Sequence, residues 1–220
     1  MRFDRDGTRE VRAVVDWLAR RFDVAEGGSC VAQKSLRVAR VTVRPLRSAE
    51  VEACARIVAG DPLWQRYGLT LPRSRQLLRK ALAAARRGGP TARAAGKVEV
   101  ARDGGQVVGF VWFFLDGTFQ HSGYVRWIAV APQARGRGVG ERLMRYAEGR
   151  IFRRGPNVFL TVSDFNEGAQ AFYRKLGYAQ VGAIPDYVVP GITERLFRKT
   201  RGPIAARSGG ERARHTSRHE

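Results

Sequence analysis

Residues 130–143, VAPQARGRGVGERL, decide the fold reading. Gly136, Gly138 and Gly140 stand at every second position between an apolar run and a stretch with helical spacing. Glycine loses more conformational freedom on ordering than any other residue. Three of them at one junction mean that the turn needs positive φ, or that something approaches its backbone. A helix start carries unpaired N–H donors and a partial positive charge, which is the physics of phosphate binding. Arg135 and Arg137 add charge beside it. The spacing is neither GxxxxGK[ST] nor GxGxxG, so a Walker-type loop is excluded and a dinucleotide fingerprint is unsupported. A flexible turn accounts for a lone GxGxG equally well, so the context must decide.

Working outward, SGYVRWIAV (122–130) reads as a strand into the junction and ERLMRYAEGRIFRR (141–154) as the helix after it. NVFLTV (157–162) is a further strand, and EGAQAFYRKLGY (167–178) is a helix stopped at Gly177. AQVGAIPDYVV (179–189) and TERLFRK (193–199) are two strands around a turn at Pro190 and Gly191. Upstream, ARVTVRPL (39–46) alternates as a strand. SAEVEACARIVAG (48–60) is a helix with Ser48 as N-cap and Gly60 as stop. RSRQLLRKALAAARR (73–87) is another helix, and KVEVARDGGQVVGFVWFFLDG (97–117) is a hairpin turning at Asp103, Gly104 and Gly105. An antiparallel first half and a strand-helix-strand unit in the second half define an α/β (α+β) chain. Its central sheet is mixed and mostly antiparallel, with helices on both faces.

The chain has 220 residues, 44% of them apolar, and a formal net charge of +20. It divides into an N-terminal helical appendage (1–38), a central domain (39–200) and a basic tail (201–220) expected to be disordered. Val11, Val14, Val15, Leu18 and Phe22 form one apolar helical face in the appendage, with Thr8 as a plausible N-cap. No stretch reaches the roughly 18 apolar residues of a membrane span, and the charged N-terminus is no secretory signal. Cys30 and Cys54 are far apart and lack metal-ligand spacing, which fits a reducing cytoplasm and no metal. His215 and His219 have no carboxylate or cysteine organised near them. The positive charge fits a polyanionic partner. Yet the arginines are spread along an Ala- and Gly-rich chain, so composition accounts for them better than nucleic-acid binding does.

Two motifs together carry a resemblance. Arg135, Gly138 and Gly140 match Arg/Gln-x-x-Gly-x-Gly/Ala, and NEGAQAFYRKLGY (166–178) matches an Asn followed by a helix with Tyr and a terminal Leu-Gly-aromatic. Residues from about 40 to 200 thus resemble the GCN5-related N-acetyltransferase (GNAT) family. The resemblance implies the GNAT-like acyl-CoA N-acyltransferase fold and direct acetyl transfer from acetyl-CoA, as co-substrate, to a primary amine. It implies that backbone groups of Ile128, Ala129 and Val130 pair with the pantetheine arm like an added strand. It assigns the pyrophosphate to Arg135, Gly136, Arg137, Gly138, Val139, Gly140 and Glu141, and a pantetheine hydrogen bond to Asn166. Tyr173 becomes the general acid for the departing thiolate.

An amine must be neutral to attack, so its proton needs an acceptor. Some family members carry a glutamate on the strand before the phosphate loop, where this chain has Tyr124; others carry one on the next strand, where it has Thr161. Asp116, His121, Asp164 and Asp186 are candidate bases by chemistry only, and proton removal through water is the expected route. Trp112, Tyr124 and Tyr187 are candidates for an aromatic acceptor pocket. A small-molecule amine is the expected acceptor. The PDYVVPG stretch somewhat resembles that of peptide N-terminal acetyltransferases, which keeps a peptide or protein N-terminus as the alternative. A non-catalytic acetyl-CoA-binding regulatory module is the reading from another class. A monomer and a homodimer both fit the sequence.

Overall fold

The computed structural model describes residues 41–119 and 122–204. The helix read at 8–22, Cys30, His121, and the tail from residue 205 with His215 and His219 lie outside the described residues. Within them the elements run β1 (Thr42–Pro45), α1 (Val51–Ala59), α2 (Pro62–Arg66), α3 (Leu71–Arg87), α4 (Gly89–Ala95), β2 (Lys97–Asp103) and β3 (Gln106–Thr118). They continue with β4 (Ser122–Val130), α5 (Val139–Ile151), β5 (Asn157–Ser163), α6 (Glu167–Lys175), β6 (Ala179–Ile184) and β7 (Glu194–Thr200). The seven strands form one sheet in the order β1-β2-β3-β4-β5-β7-β6. Every pairing is antiparallel except β4 with β5, which are joined through α5.

Helices cover both faces. On one, Val51, Cys54, Ala55 and Val58 of α1 recur at i, i+3, i+4, i+7 and meet Leu78 of α3 over Phe110, Trp112 and Trp127. On the other, Leu143, Met144, Ala147 and Ile151 of α5 pack on Val111, Phe113, Val125, Val158 and Leu160. Each such large side chain removed from water contributes about 1.5–3 kcal/mol. Ile151 fits only because residue 123 of β4 is glycine: a Cβ there would stand 2.2 Å from Ile151 Cγ2.

Two local expectations are corrected, and two helices add to the reading. Ser48 opens a short 3-10 turn (Ser48–Glu50) rather than capping α1, and the Arg47 N–H donates to the Glu50 carboxylate at 3.0 Å. Helices α2 and α4 form in segments to which the sequence assigns no element. In α2, Asp61 accepts from the Leu63 N–H at 2.9 Å ahead of Pro62, a cap-and-proline start. The strand read to Val189 ends at Ile184, because Asp186 takes a left-handed conformation and its carboxylate accepts from the Gly191 N–H at 2.6 Å.

Between β4 and β5 the sheet comes apart. They pair only at Gly123–Val158, Tyr124–Phe159 and Val125–Leu160. At the next residue β4 bulges: Trp112 of β3 faces Trp127 and Phe113 faces Val125, so Arg126 is extra. A bulge bends its strand and ends regular pairing. Beyond it β4 follows β3 to Gly109–Val130, while β5 follows β7 to Ser163–Glu194.

Candidate active site

The gap between the diverging strands is bordered by three groups of residues. The first is the end of β4. Ile128, Ala129 and Val130 pair with Val111, Phe110 and Gly109 on one edge, and no strand pairs with their other edge among the described residues. Backbone groups there need a partner.

The second is the glycine turn. Gly136 and Gly138 have φ of 70° and 80°, which answers the question the sequence raises: the turn needs left-handed backbone. It also leaves space, since a Cβ on Gly136 would meet nothing within 4 Å. Gly138 is the N-cap of α5, and the Arg142 N–H makes a helical bond to the Gly138 carbonyl at 3.0 Å. The amides of Val139, Gly140 and Glu141 are thus the donors a helix start leaves unpaired. The Glu141 carboxylate is turned to Arg145 at 2.7 Å, and a Cβ on Gly140 would touch the Phe172 ring at 3.4 Å. The flanking arginines are mostly engaged. Arg135 donates to the Val130 carbonyl at 3.1 Å and to Asp61 at 2.6 Å, and Arg137 donates to Asp103 at 2.5 Å. Arg137 Nε is buried with no partner among the described residues. An orphaned donor, free helix amides and an open glycine cradle fit a diphosphate. These residues would hold that part of acetyl-CoA, whose thioester supplies the acyl group.

The third is α6. Asn166 caps it, its Oδ1 accepting from the Ala169 N–H at 3.1 Å, so its amide N–H2 is not used by the cap. Tyr173 is 6% exposed. Its ring meets Phe172 edge-on at 5.2 Å and Tyr178 at 5.8 Å, and lies 6.4 Å from Phe197. Its hydroxyl has no hydrogen-bond partner among the described residues. Burial, with a smaller contribution from nearby Tyr124, holds its pKa well above the ordinary tyrosine value.

Opposite α5 and α6, the α1/α3 face carries the aromatic candidates. Trp112 is buried at 4%, donates from Nε1 to the Ala95 carbonyl at 2.8 Å and abuts Trp127, so its ring lies inside the core. Tyr124 is half-buried and its hydroxyl lies 3.3 Å from Thr161 Oγ1; burial raises its pKa. Tyr187 is 60% exposed in the β6–β7 turn. Asp116 and Asp186 are exposed, and Asp164 accepts from the Phe165 N–H at 2.9 Å.

Sequence reading missed a polar cluster on this face. The Tyr67 hydroxyl, between α2 and α3, is 2.5 Å from both Glu194 Oε1 and Ser163 Oγ. A phenol has one proton. It goes to the carboxylate, so Ser163 must donate to the Tyr67 oxygen. Desolvation and the Glu194 hydrogen bond push the Tyr67 pKa up to about 12. Trp64 sits beside Tyr67, with ring centroids 6.3 Å apart, and beside Trp127 at 5.6 Å. One signal was present in the sequence: a carboxylate opening β7, a strand paired on both edges.

An open mixed sheet split between its two parallel strands, with a glycine-lined helix start beside the split, is the frame of an acyl-transfer protein. Residues 63–178 match the Acetyltransferase (GNAT) family. The chain belongs to that family. It is 41% identical over 83 residues to the N-alpha-acetyltransferase RimI of Mycobacterium tuberculosis, a match covering 37% of this chain and 51% of the relative. The match thus spans about half the length of that relative. Ribosomal-protein-alanine N-acetyltransferase from Brucella melitensis has the same fold, with 20% identity, a TM-score of 0.55, and 72% of this chain and 99% of that one covered. So does yncA from Salmonella typhimurium, solved with its cofactor acetyl-CoA, with 15% identity, a TM-score of 0.54, and 73% and 94% covered. Among the described residues no helix is long and apolar enough to cross a membrane.

Proposed function

We propose that this chain transfers the acetyl group of acetyl-CoA to the α-amine of a peptide or protein N-terminus. The observation that carries acetyl transfer is the opened seam between β4 and β5, with the glycine cradle at one end and Tyr173 beside it. In this reading the free edge of Ile128, Ala129 and Val130 pairs with the pantetheine arm. The amides of residues 136–141 and Arg137 Nε receive the pyrophosphate, and Asn166 donates to a pantetheine carbonyl. The amine nitrogen attacks the thioester carbonyl, the C–N bond forms and the C–S bond breaks. Tyr173, kept protonated by its burial, gives its proton to the leaving sulfur and regains one from the acylated nitrogen through water.

The acceptor rests on a different support. The stretch shared with an N-alpha-acetyltransferase supports a peptide α-amine over the small-molecule amine expected from sequence. The exposed Tyr187 turn and the half-buried Trp64 and Tyr67 provide the flanks against which an extended N-terminal segment would lie. Thiol release is measured with purified protein, acetyl-CoA, and a panel of short peptides with free N-termini, their N-terminally blocked counterparts, and small alkyl- and arylamines. Mass spectrometry locates the acetyl group. Modification of free peptide α-nitrogens at rates well above those of the small amines is the expected result. Turnover confined to small amines would return the acceptor to that class.

A further inference from the structure

The described part of the chain buries four glutamates, and three have a cation. Glu50 is bonded by Arg44 at 2.7 Å and Arg102 at 3.3 Å, Glu99 has Arg150 at 3.6 Å, and Glu148 has Lys199 at 2.7 Å. Glu194 is 4% exposed and has no cation within salt-bridge distance among the described residues. Burying a carboxylate without a positive partner is costly. A chain of net charge +20 has no shortage of arginines to fill such a place.

The position of Glu194 is as telling as its missing partner. It faces Ser163 across the β5–β7 ladder. Thr161 lies two residues back on the same strand face, and its hydroxyl is 3.3 Å from that of Tyr124, which stands at the seam one residue before the last β4–β5 pair. Two residues of strand span about 7 Å. Glu194 therefore sits within one side-chain length of the place where β4 and β5 part, on the sheet face opposite α6. The groups facing it from the packed elements are Tyr67, Ser163, Tyr124 and, at the β6–β7 turn, Tyr187; Asp164 lies near Tyr67. Arg126, near Tyr124, holds its guanidinium over the Trp112 ring at 4.8 Å and is not within salt-bridge distance of Glu194; the others are neutral or acidic.

We propose that the cation missing from Glu194 is the ammonium group of the acceptor, and that Glu194 removes its proton. This rests on the acetyl-transfer reading above, and it replaces the expected water route with a named base. R–NH3+ gives one proton to the Glu194 carboxylate, leaving R–NH2 and a neutral carboxyl group. The amine attacks the thioester and the thiolate departs. The further proton lost by nitrogen makes good the one Tyr173 gives to sulfur. The Glu194 proton then passes to solvent, so each turnover yields amide, thiol and one proton. Tyr67 and Ser163 are positioning residues: the phenol holds Oε1, and Ser163 fixes the phenol.

Glu194→Gln tests this, because the amide oxygen still accepts from Tyr67 and the packing is kept. The rate is followed from pH 6 to 10 with the best amine of the panel above, whichever class it belongs to. The expected kcat/KM loss at pH 7 is about tenfold for a peptide α-amine, of which roughly one molecule in ten is neutral at that pH, and up to about 10³-fold for an alkylamine with a pKa near 10. The variant should then rise tenfold per pH unit toward the pKa of the amine and approach the wild type at pH 10, with acetyl-CoA affinity by calorimetry within about threefold. A loss below threefold at pH 7, or an equal loss at every pH, overturns the proposal. Should Glu194→Gln fail to fold, Tyr67→Phe is read instead: it leaves the carboxylate in place and should cost roughly tenfold with the acid limb of the profile shifted, and an unshifted profile overturns it. Which amine is acetylated decides the acceptor; the shape of the profile decides Glu194. A wild type that acetylates none of the panel overturns both.

Discussion

Removing one oxygen from Tyr173 separates catalysis from packing. In Tyr173→Phe the ring keeps its contacts with Phe172, Tyr178 and Phe197. The hydroxyl has no hydrogen-bond partner among the described residues, so folding should change by less than about 1 kcal/mol, or roughly 2–4 °C in Tm for a chain of this size. Losing a positioned proton donor should lower kcat by roughly 10²- to 10³-fold, about 2.7–4.1 kcal/mol of barrier. Burial raises the Tyr173 pKa above the ordinary value near 10, so the phenol stays protonated as pH rises to that point. The ratio of wild-type to variant kcat should therefore be flat from pH 6 to 10, unlike the ratio for Glu194→Gln. Thiol release gives kcat, calorimetry should keep acetyl-CoA affinity within fivefold, and a thermal melt reports folding. An unchanged kcat with a Tm many degrees lower would make Tyr173 a packing residue and leave the thiolate to solvent.

Gly138→Asp should weaken acetyl-CoA binding at least 100-fold by calorimetry. It sets a carboxylate at the helix start and forces a φ of 80° on a residue with a Cβ. Gly123→Ala should destabilise by roughly 1–3 kcal/mol in urea unfolding, and should cost much less when made in an Ile151→Ala background that already has room for the methyl group. Glu99→Gln should raise stability. Glu99 is buried with Oε2 unpartnered, and desolvation sets its folded pKa above its unfolded one. The native state therefore loses stability as pH rises from the unfolded value through the folded one. The variant should gain about 1 kcal/mol, roughly 2–4 °C, at pH 8 and show no gain at pH 4.

The fold was legible where local pattern and tertiary role agree. The strand at 122–130 begins and ends where it was read, and both β2–β3 and the strand-helix-strand unit stand as expected. The glycine turn was legible because backbone conformation is written in residue type. What escaped was set by distance. Tyr67 and Glu194 are separated by most of the domain in sequence and meet through one hydrogen bond, which no periodicity encodes. Trp112 looked like a pocket residue in an aromatic strand, but the Ala95 carbonyl holds its indole inward. The bulge at Arg126 had no glycine or proline to announce it, so the parting of β4 and β5 could not be read from composition.

That parting has a consequence for the life of the protein as well as its chemistry. Three β4–β5 residue pairs, the core under α5 and the Tyr67 bonds to Ser163 and Glu194 join a four-stranded half to a three-stranded half. A molecule that lies along the open edge of β4 acts as a splint across the join. By mass action, acetyl-CoA at a hundred times its dissociation constant would add about 2.7 kcal/mol to folding stability, a large share of what a domain possesses. Resistance to heat and proteolysis should then follow acetyl-CoA supply, with the strands on either side of the join the first to exchange their amide protons when the supply runs out.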